Sequence, residues 1–347
     1  MRILTKPSNA KCTLTMYINF LLGEPRRGTC SRMSEILGVS QDSINRFLKR
    51  EEYEPKDVFE LIKEKIELEE GILSVDDTVL DKPYSEETEI IGYYWSGKHE
   101  GTVKGINQIT LLYTDTKGTT VVVNYRIYNK NEGKTKNDYF IEMLEEVIDW
   151  GLKPSYVTGD SWYSSKENLK TIRDAGIGFL FGLKGNRLCC EEGEEYKQIQ
   201  RTEVAETGLL VELKGVGKVK VFRMEFKNGF RHYAQYIPNQ ESLVNLTYIE
   251  FKGVHSQHWQ IEQFHRAIKQ VCNIEKFQVR TTKAIENHIF CAICSFIKLE
   301  FMRVDNVIAN WYQVQRNLFD QVTRAFILAG INTKGSFEAQ LRSLVNA

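Results

Sequence analysis

Residues 71–80 read GILSVDDTVL, a short apolar run that ends in two acidic side chains. Its length and β-branched content mark a strand. Further along, GINQITLLYTDTKGTTVVVNYRIY (105–128) is two β-rich runs joined by the turn signal DTKG, so a hairpin follows the opening strand. NDYFIEMLEEVIDWGL (137–152) then places Phe140, Met143, Leu144, Val147 and Ile148 at helical spacing. The strand PSYVTGD (154–160), the helix SSKENLKTIRDAG (164–176) and the strand GFLFGL (178–183) complete the series. Three antiparallel strands continued by α/β crossovers predict a mixed sheet flanked by helices, an α/β fold.

From that centre the rest of the chain divides. Residues 186–250 carry alternating valines, aromatics and charges punctuated by GVG and NG, which predict a β-rich insertion. Residues 251–347 return to helix in HSQHWQIEQFHRAIKQ, ENHIFCAICSFIKLEFMRV and NWYQVQRNLFDQVTRAFILAG. The predicted organisation is a helical module over 1–70, a first core segment over 71–185, the insertion over 186–250 and a helical close over 251–347.

With 46 basic and 46 acidic residues the chain is formally neutral, so whole-chain charge gives no argument for a polyanionic partner. Local charge does. Arg2, Lys6, Lys11, Arg26, Arg27, Arg32, Arg46, Lys49 and Arg50 face only Glu24, Glu35 and Asp42 over the first fifty residues, and the acidic stretch REEYEPKDVFELIKEKIELEEG follows. Within this basic module SRMSEILGVSQDSINRFLKRE (31–51) has a helix-turn-helix pattern. Met33, Ile36 and Leu37 form one apolar face, Gly38 permits the turn, and Ser40 caps a second helix whose Ile44, Phe47 and Leu48 point inward. Gln41, Asp42, Ser43, Asn45 and Arg46 are then expected on the surface, open to base edges or phosphates, with Lys49 one turn further.

Seven cysteines, an odd number without regular spacing, fit a reducing compartment. Cys291 and Cys294 form a C-x-x-C pair inside an apolar helical run and are expected as core thiols. No apolar run reaches membrane-span length, and MRILTKPSNAKCTLTMYINF lacks a signal-peptide cleavage pattern. A cytoplasmic protein without a membrane partner is expected.

Strand ends are where side chains leave a core and reach a crevice. Asp76, with Asp77 beside it, follows ILSV; Asp160 follows SYVTG. If these strands lie side by side, their carboxylates come close enough to share a divalent cation, and hard oxygen ligands suit Mg²⁺ or Mn²⁺. Glu262, on the helix after the insertion, is the candidate for a third carboxylate.

The segments LSVDDTVL, VTGDSWYSSKENL and HWQIEQFHRAIKQ, in this order around a β-rich insertion, resemble the DDE transposases of bacterial insertion sequences. More narrowly, they resemble the cut-and-paste group whose third motif is Y-x2-R-x3-E-x6-K. The resemblance spans roughly residues 70–300. It implies a ribonuclease-H-like sheet and a catalytic, metal-binding trio of Asp76, Asp160 and Glu262. Asp77 remains the alternative first ligand, because neighbouring strand residues face opposite sides. Two Mg²⁺ or Mn²⁺ ions are implied, as are double-stranded DNA partners (the element's terminal inverted repeats and the target) and a homodimer on paired ends.

Lys269 matches the motif's lysine and is expected at a DNA phosphate, two helical turns from Glu262. His258 stands where the family has arginine and His255 where it has tyrosine; a neutral imidazole is no substitute for a guanidinium at a phosphate. Arg266 is the cation placed to compensate. Trp259 is either a core anchor or a stacking platform. In the family an aromatic of the insertion stacks on a flipped base, for which Phe222, Phe226, Phe230 and Tyr233 are candidates.

Other readings of these residues exist. A ribonuclease-H-like DNA nuclease, or an inactive DNA-binding relative, would share much of the pattern. A zinc or di-iron enzyme would instead use His255, His258, His265 and His288 with Glu262, leaving both aspartate strands unexplained.

Overall fold

The computed structural model of the protein describes residues 10–24, 28–86, 88–226 and 229–332. Arg2, Lys6, Arg26 and Arg27 of the basic module, and residues 333–347, lie outside the described residues. Four short helices come first: α1 (Leu14–Gly23), α2 (Cys30–Leu37), α3 (Gln41–Arg50) and α4 (Pro55–Ile62). The sheet begins with β1 (Ile72–Asp81), β2 (Gly92–Ser96), β3 (Gly101–Thr114) and β4 (Thr120–Ile127), followed by α5 (Lys136–Asp149), β5 (Tyr156–Gly159), α6 (Lys166–Asp174) and β6 (Gly178–Leu183).

The antiparallel start and the crossovers appear as the sequence predicts: β1 pairs antiparallel with β3, and β5 pairs parallel with β6. The structure also sets β5 parallel beside β1, which the sequence left open. The β3–β4 hairpin turns at DTKG, where Gly118 adopts φ +81° and its N–H donates to Asp115 O at 3.0 Å. Strand β2, which the sequence reading omitted, pairs with the first part of β3. The result is the mixed sheet flanked by helices of a ribonuclease-H-like fold.

The insertion contributes β7 (Leu188–Cys190), β8 (Lys197–Gln198), β9 (Leu209–Leu213), β10 (Gly217–Phe226), β11 (Gly229–Tyr236) and the short α7 (Gln240–Asn245). It continues the central sheet, because β11 pairs antiparallel with β6 from His232 opposite Leu183 to Tyr236 opposite Phe179. The sheet therefore runs β2-β3-β1-β5-β6-β11-β10-β9-β7-β8, with β4 also on β3.

Among the described residues three helices follow: α8 (Tyr248–Gln270), α9 (Thr282–Val304) and α10 (Gln313–Asn332). Helix α8 starts earlier than the HSQHWQ run suggests. Thr247 caps it, and Glu250 returns the bond to the Thr247 N–H at 2.8 Å, a capping box written in the sequence as TYIE. Helix α9 is buried along most of its length and packs against α1, α3, α4 and β4. Tyr53 stacks on Phe290 with ring centroids 4.2 Å apart, and the Tyr17 hydroxyl meets His288 Nδ1 at 2.8 Å. The N-terminal helices thus share one hydrophobic core with the sheet. Cys291 and Cys294 are buried free thiols in α9.

Candidate active site

Asp76 and Asp160 owe their proximity to strand register. In the parallel β1–β5 pair Val75 lies opposite Gly159, so Asp76 and Asp160 are the next residues on adjacent strands. Gly159 is required there: a Cβ would lie 2.3 Å from Phe181 Cε1 and 2.9 Å from Val75 Cγ1. Strand β5 ends at once, because Asp160 Oδ1 accepts from the N–H groups of Trp162 at 2.8 Å and Tyr163 at 3.4 Å, an Asx-type turn.

Helix α8 crosses this end of the sheet against β1 and β5. Asp76, Glu262 and His265 each bring one ligand atom to within 4.8 Å of the others. His265 is 7% exposed, with Nδ1 3.6 Å from Asp76 Oδ2. Burial, then the charges of Asp77, Asp160 and Glu262, hold the Asp76 carboxyl well above the usual range, against one N–H donated by Asp77. Asp160 is raised by burial, opposed by its two backbone N–H bonds. Glu262 is raised by burial and by Asp160, with Arg266 pulling the other way. Asp160 and Glu262 are both exposed, so the group opens to solvent. Carboxylates raised by burial and by one another, beside a buried imidazole, form a donor set that fits a divalent ion.

Asp77 is turned to the opposite face and is fully engaged. Its Oδ2 accepts from Asn107 Nδ2 and Lys136 Nζ, both at 2.7 Å, and its Oδ1 accepts from the Tyr163 hydroxyl at 2.9 Å. Of the two consecutive aspartates, Asp76 is the one that reaches the cleft.

The remaining α8 positions sort by partner. Lys269 donates to Val79 O at 2.7 Å and pairs with Glu275 at 3.3 Å, so its ammonium is tied to the end of β1. Arg266 is exposed beside Glu262. His258 Nδ1 lies 3.2 Å from the Thr158 hydroxyl, which in turn meets Ser74 Oγ at 2.8 Å. Burial, with His255 adding to it, pushes His258 down to about 4, so the ring carries no charge at neutral pH. His255 packs edge-on to Tyr233 at 4.8 Å. His288 lies in the core on Tyr17 and Asn273 O. The four α8 and α9 histidines of the zinc or di-iron reading are therefore dispersed, and only His265 joins the carboxylates.

Trp259 is exposed, which removes its role as a core anchor. Among the insertion aromatics, Phe222 is fully buried and stacks on Phe251 at 4.6 Å, and Tyr233 leans on the same ring. Phe226 and Phe230 are exposed, with the Arg231 and Arg223 guanidinium groups 3.4 and 4.7 Å from their ring centroids.

In the helix-turn-helix segment Gly38 takes φ +62° and Ser40 Oγ accepts from Ser43 N–H, and Ile44, Phe47 and Leu48 are buried as expected. Two expectations fail. Ile36 and Leu37 are 48% and 42% exposed, because α2 spans only about two turns and seats itself through Met33 alone. Ser43 is buried, since its hydroxyl accepts the Lys11 and Cys12 N–H groups at 2.5 and 3.3 Å and ties the chain start to α3. Gln41, Asp42, Arg46 and Lys49 are exposed, and Gln41, Asn45 and Lys49 line a cleft whose far wall includes Arg280.

A sheet ordered β3-β1-β5-β6, with Asp76 midway along β1 rather than at the strand end the sequence suggests, Asp160 just past the end of β5, and a helix bringing Glu262 and His265 to Asp76, defines a ribonuclease-H-like fold. Residues 67–297 match the Transposase DDE domain family, to which the chain belongs. Among solved structures, the piggyBac transposase synaptic complex with hairpin DNA is similar in fold. Its TM-score is 0.54 at 11% identity, covering 99% of this chain and 79% of that one. Weaker likenesses are the Drosophila P element transposase strand transfer complex and the mariner Mos1 paired end complex with Mg. The first has TM-score 0.30, 11% identity and coverage of 50% and 37%; the second has 0.19, 12% and 51% and 60%. No curated protein matches the sequence.

Proposed function

We propose that the chain is a cut-and-paste transposase of the bacterial insertion-sequence group with the Y-x2-R-x3-E-x6-K motif. In this reading it cleaves DNA at the element's terminal inverted repeats and joins the freed 3′-hydroxyl to target DNA. Asp76, Asp160 and Glu262 are the catalytic carboxylates. The observation that carries it is the convergence of Asp76 and Glu262, from elements almost two hundred residues apart, beside the turn that presents Asp160.

Mg²⁺ or Mn²⁺, two ions in the full site, would be held by these carboxylates and would supply Lewis-acid activation of the attacking oxygen and neutralisation of the departing one. The chain's own contribution is placement. The N–H groups of Trp162 and Tyr163 fix Asp160 Oδ1 and leave Oδ2 for the cleft. Arg266, exposed beside Glu262, would hold a phosphate of the cleaved strand, and Lys269 would do so on leaving Val79 O and Glu275. Arg46 and Lys49 of α3 would contact the terminal repeat, and two copies would act on paired ends in the cytoplasm.

The test incubates the protein and its Asp160→Ala variant with terminal-repeat duplexes and Mg²⁺. Wild type should cleave and join; the variant should bind the duplex and do neither. Wild-type binding without cleavage or joining overturns the enzymatic reading and leaves a DNA-binding relative. Cleavage that never proceeds to joining identifies a nuclease instead.

A further inference from the structure

His265 stands apart from every other buried polar side chain near the cleft. It sits three residues after Glu262 on α8, so both side chains leave the same face of the helix. It is 7% exposed, its Nε2 is buried without a hydrogen-bond partner, and its Nδ1 has Asp76 Oδ2 at 3.6 Å as its near neighbour. That separation is beyond a hydrogen bond. Two donor atoms on one cation, with ligand distances near 2.1 Å and angles near 90–120°, stand about 3–4 Å apart. The Nδ1 to Asp76 Oδ2 separation falls in that range, and Glu262 brings a third donor atom to the same place.

We propose that His265 is a metal ligand. With Asp76 and Glu262 it completes a mixed nitrogen and oxygen position that favours a borderline cation such as Mn²⁺, while Asp76 and Asp160 frame a second position of oxygen donors only. The two positions of the site are then chemically unequal. Imidazole suits transition metals, whereas carboxylate and water suit Mg²⁺, so the first position fills with Mn²⁺ at concentrations where the second still takes either ion. His265 Nδ1 supplies the lone pair and Nε2 keeps the proton. Asp160 is not among the side chains whose ligand atoms meet at this first position.

The inference rests on the proposed metal-dependent reading and is tested without DNA or turnover. Mn²⁺ is titrated into the full chain and followed by electron paramagnetic resonance, and the bound ion is then examined by pulsed methods for coupling to ¹⁴N. Wild type should show one tighter Mn²⁺ with a nitrogen coupling. His265→Gln should lose the coupling, weaken that ion tenfold or more and narrow the preference for Mn²⁺ over Mg²⁺; Asp160→Ala should retain the tighter ion with its coupling. Wild-type Mn²⁺ bound without nitrogen coupling overturns the assignment of His265 and leaves the metal-dependent reading standing. No bound Mn²⁺ in wild type overturns both. Because the wild-type spectrum alone is decisive, a misfolded variant does not rescue the proposal.

Discussion

Asp76 and Asp77 are consecutive on β1 and serve opposite faces of the sheet. Asp77 is bound by Asn107, Lys136 and Tyr163, whereas Asp76 faces His265 and Glu262 across the cleft. One is held by donors; the other is crowded by acids.

The two positions should therefore fail differently. Asp77→Ala leaves a largely buried Lys136 ammonium and a Tyr163 hydroxyl without their acceptor, and should cost about 3 kcal/mol in chemical denaturation. Asp76→Asn should abolish cleavage and joining while the fold survives. Equal stability losses in the two variants would contradict this division.

Stability should also respond to pH and to divalent ions in a defined direction. A carboxyl raised on folding binds its proton more tightly in the folded state, so Asp76, Asp160 and Glu262 make the metal-free protein less stable as pH rises through and above the ordinary carboxylate range. Millimolar Mg²⁺ or Mn²⁺ at neutral pH should raise Tm, and Asp76→Asn should raise the metal-free Tm, by about 2 °C or more. Because His258, His265 and His288 are held below the ordinary imidazole value and act in the opposite direction, the readout is a difference: the metal-free Tm advantage of Asp76→Asn over wild type should widen from pH 5 to pH 7, and a gap that narrows would refute the assignment.

Gly159→Ala probes register. The added methyl meets Phe181 and Val75 inside a packed sheet and should cost about 1–3 kcal/mol. Since Asp160 is the next residue, activity should fall well beyond what the lost stability explains, with duplex binding kept. Wild-type cleavage rates in a destabilised variant would disconnect Gly159 from the site.

Phe222→Ala removes the ring that stacks on Phe251 of α8 within a small separate core of Leu180, Phe222, Leu246 and Phe251. A loss of about 3–5 kcal/mol is expected, read by denaturation. Because this core pins the start of α8 to the insertion, hydrogen exchange should quicken first around Thr247–Phe251. Protection unchanged there would break the link between insertion and helix.

The central strands could be read from the chain because their signals are local: apolar runs bounded by turn residues, and helical spacing at Phe140, Met143, Leu144 and Val147. Strand β2 escaped because its inward face is only Tyr94 and Ser96, too short an alternation to mark a strand, and it forms as the first arm of a tight hairpin with the start of β3. The continuity of the insertion with β6 was equally invisible, being a matter of long-range pairing. At the site, Asp76 and Glu262 were legible by type and order. What singles out Asp76 over Asp77 lies on other elements, at Asn107, Lys136 and Tyr163. Ser43 was misplaced for the same reason, since its partners are the backbone of Lys11 and Cys12.

The unbroken ladder from β1 through β5, β6 and β11 to β10 makes the insertion part of the sheet that carries Asp76. Strand β11 is bonded to β6 and β6 to β5, so the insertion is rooted two strands from Asp160. Whatever docks on the exposed Phe226 and Phe230 therefore docks on an extension of the sheet that holds the carboxylates.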